Sequence, residues 1–128
     1  MSDIPIHDIQ TRDDIVLLVD SFYQKVKSNL VIGHIFVEVA NVNWENHLPV
    51  MYSFWAGVLL GEQSYEGNPM LKHIALSKKT PMTEVEFSEW LLLFTRTVDE
   101  LFSGDKASEA KIRAGNISRL MMYKIQTA

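Results

Sequence analysis

Apolar residues along this chain recur at helical intervals, and polar signals mark where each run starts and stops. Ile15, Leu18, Val19, Phe22 and Val26 fall three or four residues apart, the spacing of one helix face. Thr11-Arg12-Asp13-Asp14 reads as a capping box, with acids in the first turn and Lys25 and Lys27 in the last. This predicts an amphipathic helix from about 12 to 28. Residues 29–36, Asn-Leu-Val-Ile-Gly-His-Ile-Phe, predict a turn with a short helical piece around Gly33.

A second helix is predicted from the mid-forties to Leu60, stopped by Gly61. It is apolar on most of its circumference and is expected to be largely buried. Pro49 favours a start near Asn46, where a proline is tolerated, with Trp44 in an irregular lead-in. Asn68-Pro69 is a cap and first-turn signature for a short helix carrying His73, and Ser77 to Met82 reads as loop. Thr83-x-x-Glu86 is a second capping box. It opens a helix to about Phe102 with the stripe Phe87, Trp90, Leu91, Phe94, Val98 and Leu101, ended by Gly104. The last helix runs from about Asp105 through Ala110, Ala114, Ile117 and Met121, with Gly115 expected to allow a close helix contact. No strand-like alternation, repeat or low-complexity stretch interrupts this pattern. The expected class is all-α.

With 128 residues, 47% of them apolar, the chain suits one compact domain over 1–128 with a real core. Its net charge of −4 and scattered lysines and arginines argue against nucleic acid as a partner. Cysteine is absent, which excludes disulfides, thiolate chemistry and Cys-ligated metal sites. The N-terminus lacks the apolar stretch of a signal peptide, and Val50 to Leu60 is too short to span a bilayer. A soluble cytoplasmic protein with no membrane partner is expected.

Two histidines stand out against this background. His47 shares a helix face with Val50, Met51, Phe54 and Val58, and His73 sits inside the short apolar segment Leu71 to Leu76. Taken alone, each is most often a core-edge histidine bonded to a carbonyl. Together, on segments that the Gly/Pro-punctuated loop between them can fold face to face, they suggest something held in the gap. Zinc is a poor candidate, because only His7 and His34 remain as further imidazoles and no HExxH spacing occurs. Haem iron needs one protein ligand and a wide apolar slot, which Phe36, Phe54, Trp55, Trp90 and Phe94 could line as readily as they fill an ordinary core. Tyr23 and Trp90 each carry a donor that needs a partner if buried. That partner is a carbonyl or water in an ordinary core, and an oxygen atom bound to iron in a haem pocket.

Several runs of residues carry a family resemblance. Phe22-Tyr23-Gln24-Lys25-Val26 and Gly33-His34-Ile35-Phe36 resemble the second helix and following corner of truncated haemoglobins. Trp44-Glu45-Asn46-His47, the run Phe54 to Glu62, Tyr65-x-Gly67-x-Pro69, Lys72-His73 and Phe87-x-x-Trp90-Leu91-x-Leu93-Phe94 resemble group III of that family. The likeness spans nearly the whole chain. It implies a shortened globin, two helices over two, around haem b. Carried over, His73 is the proximal iron ligand, Tyr23 and Trp90 are distal donors, and His47 is a distal gate. Phe36, Met51, Phe54 and Trp55 match positions on or beside the haem, and Tyr65 and Lys72 match propionate contacts. His34 stands where a proline is common, and Pro49 follows the distal histidine closely; both departures bear on the gate.

The implied function is haem-based binding of O₂, CO, NO or a similar small ligand, as in oxygen transport or gas handling. A peroxidase or NO dioxygenase is the second possibility, and it needs a reductase that the chain lacks. A haem-free helical interaction module is the third.

Overall fold

Thr11 opens the first helix as its pattern requires. Its hydroxyl accepts the Asp14 amide at 3.3 Å, and the Asp14 carboxylate accepts the Thr11 amide at 3.1 Å. This helix, α1, is Arg12–Ser28. The computed structural model describes residues 6–35, 44–62 and 83–127. Among them three further helices follow: α2 (Trp44–Leu60), α3 (Glu84–Leu101) and α4 (Asp105–Thr127). The short helix expected after Asn68-Pro69 and the loop before Thr83 lie outside the described residues.

The stripe foreseen in α1 is its buried face: Ile15, Leu18, Val19, Phe22 and Val26 are all enclosed. α1 packs against both α2 and α3, and α3 packs also against α4. The result is two helix pairs, α1–α2 and α3–α4, joined through α1 and α3. Polar ties mark the crossings. Arg12 reaches Glu62 at 2.7 Å and the Ser53 hydroxyl at 3.2 Å, and the Tyr52 hydroxyl donates to Asp20. Burial, together with the Asp20 carboxylate, pushes the Tyr52 phenol up to about 12. Lys25 meets Glu100 at 2.8 Å, and the Asn29 amide donates to Glu89 at 2.7 Å. The two ion pairs among them, Arg12–Glu62 and Lys25–Glu100, are largely exposed and contribute about 0–1 kcal/mol each, so the enclosed apolar side chains dominate.

α2 departs from expectation at both its start and its faces. It begins at Trp44, which places Pro49 inside the helix and makes Trp44 part of the first turn. Only Trp55, Ala56 and Leu59 are buried on it; Leu48, Val50, Met51, Phe54 and Val58 stay half-buried. Its end follows the pattern. Gly61 has φ +76°, the left-handed conformation that glycine allows just past a helix, and the Glu62 amide turns back to the Ala56 carbonyl at 3.3 Å.

Glycine packing also differs from expectation. A Cβ on Gly115 would make only ordinary contact with Arg119. A close approach to backbone occurs instead at Gly33, where a Cβ would fall 2.9 Å from the Val26 carbonyl oxygen. Gly33 lets the corner fold back onto the end of α1.

Gly104 does not terminate α3, whose last turn is closed by the extended Phe102 amide donating to Val98 at 2.8 Å. It opens α4: its carbonyl accepts the Ser108 amide at 2.9 Å, as a helix N-cap residue does. Having no side chain, it leaves the capping position to Asp8. The Asp8 carboxylate accepts the Lys106 and Ala107 amides at 2.9 and 2.8 Å, and its Cγ lies 2.5 Å from where a Gly104 Cβ would stand. Burial pushes the Asp8 carboxyl upward, but the Lys106, Ala107 and Ile9 amides and the Lys106 charge outweigh it and hold the group below the usual carboxylate range.

A depressed carboxyl stabilises the fold above its unfolded value and stops doing so as pH falls through its folded one. Asp8→Ala is therefore expected to cost about 0.5–2 kcal/mol at pH 7, the range for a lost cap. The deficit should shrink as pH drops below about 3.9 and the parent's Asp8 takes up a proton, losing the anion that the variant never had. Urea unfolding at pH 7 and pH 3 measures both values. Equal stabilities at pH 7 would refute the cap.

Candidate functional site

Tyr23 and His47 were singled out on separate segments, and the structure sets their rings 5.1 Å apart at 80°. Helical spacing builds the contact. Tyr23 follows Phe22 and Val19 on the inner side of α1, where it is buried, and His47 lies three residues after Trp44 on α2. Trp44 completes a trio, 5.3 Å from Tyr23 and 5.7 Å from His47, with all three ring pairs edge-to-face. The Nε2 atom of His47 is enclosed. Burial raises the Tyr23 phenol far above its usual value, so it keeps its proton throughout the working pH range and remains a donor.

Trp90 sits in a second aromatic group. It stacks on Phe94 at 5.9 Å and 11°, and meets Phe22 edge-on at 5.7 Å. Phe22 in turn lies 4.9 Å from Tyr23, so the two groups meet through α1. Trp55 belongs to the enclosed part of this layer, stacked on Phe94 at 4.7 Å. Met51 and Phe54 lie on the half-buried face of α2 that also carries His47. Phe36, Tyr65, Lys72 and His73 lie outside the described residues.

Trp44 is the member that sequence reasoning missed, because Pro49 argued for a helix starting after it. The available signal was the three-residue spacing from Trp44 to His47, which puts both on one face of any helix that includes them. Among the described residues no group of three or more His, Asp or Glu side chains gathers to hold a metal ion. The donor set is one phenol, one imidazole and one indole beside a strip of half-buried apolar side chains. That set fits a flat apolar group carrying a small polar ligand: the strip would cover the flat group, and the phenol would supply a donor to the ligand.

Among the described residues four helices and no strand frame this aromatic and imidazole cluster, an arrangement that fits a globin-type protein. A family model described as bacterial-like globin matches residues 7–124, so the chain belongs to that family. It is similar to the group 3 truncated hemoglobin ctb of Campylobacter jejuni, at 31% identity over 119 residues, covering 88% of this chain and 91% of the relative. The crystal structure of the group III truncated hemoglobin from Campylobacter jejuni superposes with a TM-score of 0.81 at 27% identity, covering 94% of this chain and 95% of that one. The expectation of a group III truncated haemoglobin and its shortened globin fold is thereby met. Membership implies haem and the binding of small gaseous ligands in general. Among the described residues no helix is long and apolar enough to cross a membrane.

Proposed function

We propose that this protein binds O₂ or a similar diatomic ligand on haem b, with His73 as the proximal ligand and Tyr23, His47 and Trp90 on the distal side. When bound, haem supplies the iron at which such a ligand attaches. The observation that carries the reading is the enclosed Tyr23 phenol in edge contact with His47. A neutral O–H in a desolvated setting is a strong donor toward an oxygen carrying partial negative charge.

The residues divide the work by their surroundings. Tyr23 stays protonated and is held in place by Phe22, Trp44 and His47, so its hydroxyl is a pre-positioned donor. Trp90, half-buried against Phe22 and Phe94, supplies the second donor through its indole N–H. Met51, Phe54 and Trp55 offer the apolar surface from α2, and Phe36, Tyr65 and Lys72 are assigned to the remaining haem contacts. His47 stands in the first turn of a helix interrupted by Pro49 and serves as a gate rather than a ligand. A cytoplasmic setting and a separate reductase for any turnover belong to the same proposal.

The direct test is the visible absorption spectrum of the purified protein reconstituted with protoporphyrin IX iron. A Soret band at one haem per chain, shifting on exposure of the ferrous form to CO and reversibly to O₂, is expected. No stoichiometric haem uptake would end the proposal.

A further inference from the structure

The junction between the end of α1 and the start of α2 carries a contact that the ligand-binding reading does not use. Lys27 stands one turn after Tyr23 on α1, and its Nζ lies 4.4 Å from the centre of the Trp44 ring. Trp44 stands one turn before His47 and touches both Tyr23 and His47. Two α1 residues four apart therefore hold the first residue of α2, the buried Tyr23 on one side and the exposed Lys27 on the other.

That first turn has a weakened backbone. Pro49 has no N–H, so the Glu45 carbonyl lacks the i+4 donor of a regular helix. The helical pattern leaves Leu48 N–H to the Trp44 carbonyl and Val50 N–H to the Asn46 carbonyl as the bonds reaching residues 44–46. A turn so poorly tied opens easily unless side chains restrain it. The Trp44 ring is where such a restraint acts, and a cation over an indole face is attracted by the ring quadrupole.

We propose that Lys27 is a positioning residue, whose ammonium on the Trp44 ring holds the first turn of α2 closed and so keeps His47 against Tyr23. Removing the cation loosens the turn and widens access to the cluster. The access half rests on the ligand-binding reading; the clamp does not. An exposed cation–indole contact corresponds to a roughly two- to five-fold shift in an opening equilibrium.

Amide hydrogen exchange at Leu48, Val50 and Met51, measured on the purified protein with and without haem, tests the clamp. Lys27→Met keeps the apolar stem and removes the charge, while Lys27→Arg keeps the charge and stacks on the ring. Exchange at these amides should quicken roughly two- to five-fold in Lys27→Met, stay parental in Lys27→Arg, and be unchanged at Phe94 and Val98 of α3. On the haem-loaded protein, CO association after flash photolysis should rise by the same factor in Lys27→Met alone. Unchanged exchange in Lys27→Met, equal acceleration in both variants, or acceleration that includes α3 overturns the clamp. Faster exchange with unchanged CO association overturns the access half only. If the protein takes up no haem, the ligand-binding reading fails by itself while exchange still decides the clamp.

Discussion

His73→Ala is expected to purify with little or no haem, and this is the largest effect of any single substitution considered. An imidazole supplies the one protein bond to haem iron in the proposed arrangement, and apolar contacts alone hold a porphyrin without fixing its iron. Changing a residue that merely supports a metal ligand typically weakens metal binding about 10- to 100-fold. Deleting the ligand itself should exceed about 100-fold on the same scale. The measurement is haem per chain by pyridine haemochrome, together with the Soret position before and after added imidazole. Free imidazole should restore part of the binding by occupying the space of the lost side chain. Parental haem content with an unmoved Soret band would exclude His73 as the ligand.

The second large effect concerns how long O₂ stays bound. Tyr23 and Trp90 are proposed donors to a ligand carrying partial negative charge, and a hydrogen bond of that kind contributes about 1.5–3 kcal/mol. At ~1.4 kcal/mol per decade, Tyr23→Phe and Trp90→Phe should speed dissociation roughly 10- to 150-fold. Tyr23→Phe belongs at the upper end, because its hydroxyl is enclosed whereas the Trp90 ring is half-buried and solvent competes. The double variant should show less than the product of the two, since both donors serve one acceptor. Stopped-flow O₂ dissociation from the ferrous protein gives all three values. Single-variant rates within twofold of the parent would remove these residues from the distal role.

The proposed contacts differ in how far they could be read from the chain. Thr11 with Asp14 and Thr83 with Glu86 announced the starts of α1 and α3, and both capping boxes form. The α1 stripe from Ile15 to Val26 was equally plain. Each signal lies within four residues, and helix geometry ties such neighbours together whatever the rest of the molecule does.

Tyr23 and His47 could be nominated from residue type and family likeness, but their 5.1 Å contact depends on how α1 crosses α2. That crossing is set jointly by many side chains, Phe22, Trp55 and Leu59 among them, and no local spacing encodes it. The start of α2 shows tertiary contact overriding a local preference. Pro49 favours a helix beginning after Trp44, yet Trp44 is held in the first turn by Tyr23, His47 and Lys27. Asp8 is the extreme case. A single aspartate ahead of the first helix gives no hint that it caps α4, whose Lys106 and Ala107 amides lie 98 and 99 residues away. Periodicity and caps follow from bonds between near neighbours, so they are written along the chain. A cap reaching across the chain, a ring trio and a cation on an indole arise only where separate helices meet, and the helix crossings set those meeting points.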